Sequence, residues 1–330
     1  MYQITSEIET ALNLTSPQQK WELNKSAIES LKNGNCDLNA LAKFNGWGAI
    51  HEIFDESKDG WYSAARKELF ELIGDSNYAK ASKSIVNAHY TSPKTARAIW
   101  QIVQKLGFKG GRILDPCCGT GIFFGTMPNS IALKSKLYAV ELDNIPSQIA
   151  SKLYPEASVY NRGFEKTDFP DNYLDLAITK IPFGSNGLHD PKYNHLQVNI
   201  HNYFLAKLSD LVRPGGLIAV VNSTYTLDAK SSKFRNWLGS KLKLIQAIRL
   251  PSNTFENIAR TQVTTDILIF QKISSSEESN IANWCFTKGI RINGELVQLN
   301  QIYQKHQDWM LGKPSINKLY GNGFAYSTLY

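Results

Sequence analysis

The chain has 330 residues, 42% of them hydrophobic and 20% charged, which excludes disorder as the main state because a core of useful size can be buried. Only four cysteines occur, two of them the neighbours Cys117 and Cys118, so a disulfide-built scaffold is excluded and a reducing compartment fits. Lys plus Arg number 36 against 29 Asp plus Glu, and the resulting charge of +7 permits contact with nucleic-acid phosphates without requiring it.

The first fourteen residues have neither a basic start nor a long apolar run, and nowhere do eighteen apolar residues follow one another. The expectation is a cytoplasmic protein with no membrane partner. Residues 1–88 read as a helical N-terminal extension. Ser16 caps a helix with Pro17 in its first turn, Phe44–Ile50 interrupts the pattern with two glycines around Trp47, and helical periodicity resumes from Trp61 to Gly74. From 89 to 272 helices and strands alternate. A helix runs from Pro93 behind the cap Ser92, and apolar strands are expected at 112–116, 137–143, 157–161, 174–180, 217–223, 244–250 and 265–271. Helices are expected at 145–153, 199–212 and 231–242. This alternation predicts an α/β fold, a doubly wound Rossmann-like sheet of about seven strands. The last connection lacks a full helix, so the final strand is expected to be antiparallel. Residues 273–330 form a small C-terminal appendage with a hairpin about Asn293-Gly294.

The loop after the first strand reads Asp115-Pro116-Cys117-Cys118-Gly119-Thr120-Gly121. Ligands sit at the carboxyl ends of strands in open α/β sheets, and the glycines permit close backbone approach. About twenty residues later the second strand ends at Glu141, a carboxylate suited to two ribose hydroxyls. A dinucleotide fingerprint wants a third glycine where Phe124 stands, and Gly125 is one place late. An acid before the turn suits the methionine ammonium of S-adenosylmethionine and repels a pyrophosphate, so that cofactor is preferred to a nicotinamide or flavin. The paired cysteines read as small packing groups.

The fourth strand runs into Lys180-Ile181-Pro182-Phe183-Gly184. A turn with proline and an aromatic at this position suits methyl transfer to an exocyclic amino group. Such a nitrogen is a poor nucleophile until acceptors localise its lone pair, and an aromatic can stack on the extruded base. Phe183 can stack and the Ile181 carbonyl can accept.

With FNGWG, NAHYTSP, GGRILDPCCGTGIFFG, DPKYN, LVRPGGLIAVV, IRLPSNTF and TTDILIFQK in this order, the chain over about residues 38–325 resembles the methylase portion of phage and plasmid helicase–methylase proteins. These belong with the gamma-type adenine-N6 DNA methyltransferases. The resemblance implies a methyltransferase sheet and a site-specific, adenine-directed enzyme of the restriction-modification kind. Its partners would be DNA (with RNA as the alternative substrate) and a separate helicase or specificity protein. It further implies Tyr90 and Thr91 as cofactor residues beside Asp115, Pro116, Gly119, Gly121 and Glu141. Phe164 and Glu165 would meet the adenine ring, with Asp168 and Phe169 as second choice, and Phe255 would wall the target-base pocket.

Lys180 departs from the family, which has Asn or Asp there. Lysine has donors and no acceptor. Either Thr179 or another acceptor substitutes, or the chain is an impaired catalyst that serves as a cofactor- or nucleic-acid-binding subunit. Among the basic residues 230–249, Lys233 and Arg235 are candidates for backbone contact against the alternative of a solvated helix face. The spacing of His189, His195 and His201 fits no zinc pattern, and no metal is expected. Asp190–Tyr193 is expected to order over substrate, and Arg213–Gly216 to turn from helix to strand.

Overall fold

The computed structural model describes residues 1–33, 36–85, 90–255, 263–274, 283–312, 316–317 and 325–326. Seven strands form one sheet: β1 (Arg112–Asp115), β2 (Lys136–Glu141), β3 (Ser158–Asn161), β4 (Leu174–Lys180), β5 (Val212–Ser223), β6 (Leu242–Leu250) and β7 (Thr265–Lys272). Their spatial order is β3-β2-β1-β4-β5-β7-β6. The pairs β2/β3 and β4/β5 are parallel, while β7 runs antiparallel to both β5 and β6. The expected α/β Rossmann-like sheet with an antiparallel last strand is therefore present. Strands β4, β5 and β7 are buried over most of their length, as continuous apolar runs such as LIAVV require.

The chain divides into two compact units. The first holds Met1–Gly110 and Leu114–Thr167. Its helices are α1 (Ser6–Leu12), α2 (Pro17–Lys32), α3 (Leu38–Ala42), α4 (Trp61–Ser84), α5 (Pro93–Lys105), α6 (Ile122–Gly125), α7 (Asn129–Ala132) and α8 (Asn144–Leu153), with a 3-10 segment at Gly48–Phe54. Helix α4 leaves helical geometry at Gly74, φ +73°. The N-terminal helices share this unit with the glycine loop. Ile4 donates to the Gly125 carbonyl (2.8 Å), Arg97 pairs with Glu9, and the Trp100 indole donates to the Phe123 carbonyl (2.8 Å).

The second unit holds Gly111–Ile113 and the described residues from Asp168 onward. It carries α9 (Ile200–Leu211), α10 (Tyr225–Asp228), α11 (Lys233–Gly239) and α12 (Ile302–Lys305). The expected hairpin is present as β8 (Thr287–Ile292) and β9 (Glu295–Asn300), with positive φ at Asn293 and Gly294. Residues Ile316–Asn317 and Ala325–Tyr326 pair as a further antiparallel ladder. The turn expected at Arg213–Gly216 is instead a bulge inside β5. Val212 stays opposite Leu174 and Leu217 opposite Leu176, so four residues loop out across from Asp175. The Asp175 carboxylate fastens the bulge through Arg213 Nε (2.6 Å) and holds Arg112 Nε (3.1 Å). No described helix is long and apolar enough to cross a membrane.

Candidate functional site

In the first unit the glycine loop leaves β1 at buried Asp115, whose Oδ1 accepts from the Cys117 N–H at 3.3 Å. Cys118 donates its N–H to the Val140 carbonyl (3.0 Å), which lashes the loop to β2. Its thiol is buried, and desolvation pushes its pKa well up, so it packs as a neutral group. Gly119 and Gly121 take the left-handed conformation, φ +55° and +86°. A Cβ on Gly119 would meet the Tyr90 ring at 3.2 Å, and one on Gly121 would stand 2.5 Å from the Tyr154 ring. A Cβ on Gly125, one place late for a dinucleotide loop, would stand 2.4 Å from the Tyr154 hydroxyl and 2.7 Å from Ile4. Its position answers to packing behind the loop.

Glu141 ends β2. Its Oε2 accepts from the Gly119 N–H and its Oε1 from the Asp143 N–H, both at 2.8 Å. Burial raises its pKa to about 7, and these two backbone donors oppose the rise. The carboxylate retains lone pairs beyond those two bonds, enough for a vicinal diol. Asp143 caps α8 through Ile145 N–H (3.1 Å) and accepts from the Trp47 indole (2.6 Å). The Tyr90 hydroxyl and Thr91 Oγ1 are buried and have no hydrogen-bond partner among the described residues. Polar atoms withdrawn from water ordinarily find partners. These two therefore fit a polar ligand lying against the loop, as S-adenosylmethionine would. Ser92 caps α5 by accepting from Thr95 N–H (3.0 Å), which sets Tyr90 and Thr91 just ahead of the helix. His89 lies outside the described residues. Phe164 is buried in a 3-10 turn, and Glu165 folds its carboxylate over Gly163. Pro116 is buried beside Asp115. In the second unit, the second-choice residues Asp168 and Phe169 are exposed and half-buried respectively.

In the second unit β4 ends at Lys180, and the Ile181 N–H extends the ladder by donating to the Val221 carbonyl (3.0 Å). That bond uses the N–H of Ile181 and not its carbonyl. Pro182 and Phe183 follow, both half-buried. Lys180 is 9% exposed, and its ammonium lies 4.2 Å from the Phe183 ring centroid. The ring suited to stacking on a base thus already holds a cation on one face. Thr179 is fully buried and, by strand alternation, points to the opposite face from Lys180, so it does not take over that position.

At the end of the neighbouring strand β5, where Val221 lies opposite Lys180, is a polar cluster that sequence reasoning missed. Asn222 Nδ2 donates to Thr226 Oγ1 (2.9 Å), which donates to Asn202 Oδ1 (2.7 Å), while Asn222 Oδ1 has no partner among the described residues. His201, next to Asn202, is buried near the Gly184 backbone, and desolvation lowers its pKa to about 4. The available signal was Asn222 itself, a polar residue ending an apolar strand.

Several expectations need correction. Arg235 is 1% exposed, and its guanidinium donates to the carbonyls of Cys285 (2.8 Å) and Thr226 (3.2 Å), so it is part of the interior and not a phosphate contact. Arg249 is likewise internal, paired with Asp266 (2.9 Å) and Asp228 (2.8 Å), and Lys241 is held by Asp210 (2.6 Å). Lys233 is exposed. The segment Asp190–Tyr193 is pinned down: Asp190 accepts from Tyr203 (2.7 Å), Lys192 pairs with Asp171 (2.8 Å), and the Tyr193 hydroxyl donates to Asp210 (3.0 Å). His189 meets Asn194 (3.2 Å), His195 is exposed and His201 buried. Phe255 closes a 3-10 turn at Ser252–Phe255, and its side chain lies outside the described residues.

Comparisons with known proteins bear on this arrangement. The family described as N-6 DNA Methylase matches residues 69–284, nearly two thirds of the chain. Defense against restriction protein B of Escherichia phage P1 is 28% identical over 192 residues, 57% of this chain and 8% of that protein. The chain thus spans a small part of the phage protein. The rRNA N(6)-adenosine-methyltransferase metl-5 of Caenorhabditis elegans is 23% identical over 221 residues, 63% of this chain and 99% of that one. Among solved structures, a candidate class I S-adenosylmethionine-dependent methyltransferase of Listeria monocytogenes superposes with a TM-score of 0.52 at 16% identity, over 83% of this chain and 90% of that one. That likeness establishes the fold. With the family match spanning the glycine loop, Glu141 and the Lys180–Phe183 turn, the chain belongs to the N-6 DNA methylase family.

Proposed function

We propose that the protein is an S-adenosylmethionine-dependent DNA methyltransferase acting on the adenine 6-amino group, with turnover held down by Lys180. The observation that carries this reading is the turn after β4, where Ile181 joins the ladder through its N–H and Phe183 follows two residues on. The family match supports it. Glu141 would hold the ribose, and Tyr90, Thr91, Asp115 and the Gly119–Gly121 turn the methionine part. Phe164 and Glu165 would hold the adenine ring. S-adenosylmethionine, when bound, supplies an electrophilic methyl group.

The chemistry of the turn follows from its atoms. The Ile181 carbonyl would accept from the target amino group and help localise its lone pair, and Phe183 would stack on the base. The amino nitrogen would bond to the methyl carbon as the sulfur–methyl bond breaks, with S-adenosylhomocysteine as the leaving group, and then shed one proton to solvent, so no general base is needed before attack. Lys180 adds a positive charge where positive charge develops on that nitrogen. A missing acceptor of this kind costs on the order of 3 kcal/mol, about a hundredfold in rate. The proposed setting is cytoplasmic restriction-modification, with a helicase or specificity protein as partner.

A second reading, a cofactor- or nucleic-acid-binding subunit with little activity of its own, is favoured by the Lys180–Phe183 contact. Lys180→Asn restores an acceptor and separates the two. Transfer of tritiated methyl to adenine-containing DNA should rise about a hundredfold while cofactor affinity stays level. Equal, negligible transfer by both proteins with cofactor bound would select the subunit reading. The nematode relative is named for rRNA, so label appearing in RNA and not DNA would move the substrate while keeping the chemistry.

A further inference from the structure

The segment Phe44–Gly48 belongs to neither the glycine loop nor the turn after β4, yet it is fixed in place and reaches the acidic end of β2. Asn24 grips its backbone, with Oδ1 accepting from the Asn45 N–H (2.7 Å) and Nδ2 donating to the Gly46 carbonyl (3.1 Å). Trp47 is 1% exposed, its ring roughly perpendicular to those of Phe44 (centroids 5.1 Å apart) and Phe54 (6.1 Å). A buried indole N–H calls for an acceptor. It finds one in Asp143 Oδ2 at 2.6 Å, ninety-six residues along the chain and two past Glu141.

Asp143 joins this segment to Glu141. Its side chain accepts from Trp47, from Ile145 N–H at the start of α8 (3.1 Å) and from Ser84 Oγ at the end of α4 (3.4 Å). Burial raises its pKa, and the Trp47 indole is the donor that opposes the rise most. Its backbone N–H meanwhile donates to Glu141 Oε1 (2.8 Å). The turn is also held from β3, where Asn161 Nδ2 donates to the carbonyls of Glu141 (2.9 Å) and Leu142 (3.2 Å). Glu141 thus leans on two donors, the N–H groups of Gly119 and Asp143, and the second is only as well placed as Asp143 itself. Without the indole, the Asp143 side chain can leave its place at the head of α8 and carry its N–H away. The Glu141 carboxylate is then free to turn about the Gly119 bond that remains.

We infer that Trp47 is a positioning residue of the cofactor site, fixing through Asp143 the direction in which Glu141 presents its remaining lone pairs to the ribose diol. This rests on the assignment of Glu141 to the ribose. The N-terminal helical extension then serves ligand binding as well as packing.

The test is calorimetric titration of the full chain with S-adenosylhomocysteine and with its 2′,3′-dideoxy analogue, which keeps the methionine part and the adenine but offers Glu141 no hydroxyl. Trp47→Phe keeps a ring beside Phe44 and Phe54 and removes the N–H donor. It should lose about tenfold in affinity for S-adenosylhomocysteine and bind the dideoxy analogue within about twofold of the parent. Asp143→Asn should show the same selective loss, because whichever way the amide turns, its NH2 faces the N–H of either Trp47 or Ile145. That variant decides if Trp47→Phe fails to fold. Equal losses for the two ligands would mean that Trp47 only packs, and unchanged affinity for S-adenosylhomocysteine would mean that it does not act on Glu141; either result overturns the inference. A parent protein that binds both ligands equally well overturns the ribose assignment, and one that binds neither overturns the cofactor assignment. Both failures show before any variant is made.

Discussion

Lowering the pH from 8 to 6 should weaken cofactor binding, and the reason lies in Glu141. A carboxylate that accepts from two ribose hydroxyls must be ionised, and burial holds this one at about 7 against an ordinary 4.5. If only the ionised form binds, affinity for S-adenosylhomocysteine should be near its plateau at pH 8, about half that at pH 7, and about tenfold lower at pH 6. The same shift has a stability sign. The folded protein holds the proton more tightly than the unfolded chain, so stability is greatest below about 4.5 for this group and declines as pH rises through 7. The decline is roughly 3 kcal/mol at about 1.4 kcal/mol per pH unit. Ligand binding above pH 7 should offset it. Titration calorimetry between pH 5.5 and 8 reads the first effect and thermal melting the second. Glu141→Gln should bind weakly and without pH dependence, since an amide nitrogen would face the Gly119 or Asp143 N–H donor-to-donor. A parent affinity that is flat across this range would refute the assignment of Glu141 to the ribose.

Other expectations follow from single contacts. Gly121→Ala places a Cβ 2.5 Å from Tyr154 at φ +86°, so melting should show a loss on the order of 2–4 kcal/mol. Arg249→Met strands Asp228 and Asp266 in the interior and should cost about 3–5 kcal/mol in denaturant unfolding. Neutralising exposed Lys233 should reduce the salt slope of DNA affinity by about one unit if it meets phosphate, with stability unchanged. Arg235→Gln, by contrast, should destabilise the fold and leave the slope alone.

Much of the sheet was legible because its strands are short apolar runs closed by recognisable punctuation. Ser92 before Pro93 and Asn293-Gly294 behave as their local chemistry demands. The start of β5 was not legible. Arg213–Gly216 carries the composition of a turn, and its incorporation as a bulge depends on Asp175, nearly forty residues earlier. Basic residues betray charge but not depth. Arg235 and Arg249 look like their exposed neighbours until Cys285, Asp228 and Asp266 are seen beside them. The glycine loop and Glu141 could be read because each sits at a strand end, where left-handed glycines and a carboxylate taking two backbone donors follow from local pattern. Tyr154 faces that loop from the end of a helix whose own pattern says only helix, so its part emerges from long-range packing.

Methyl transfer to the adenine 6-amino group is read out by isotope transfer. Parent and Lys180→Asn proteins would be incubated with tritiated S-adenosylmethionine and mixed-sequence DNA, and in parallel RNA, followed by digestion to nucleosides and chromatography. Label is expected in N6-methyladenine from DNA, slow for the parent and faster for Lys180→Asn. Label in another nucleoside, or none from either protein under conditions where calorimetry shows the cofactor bound, would contradict it.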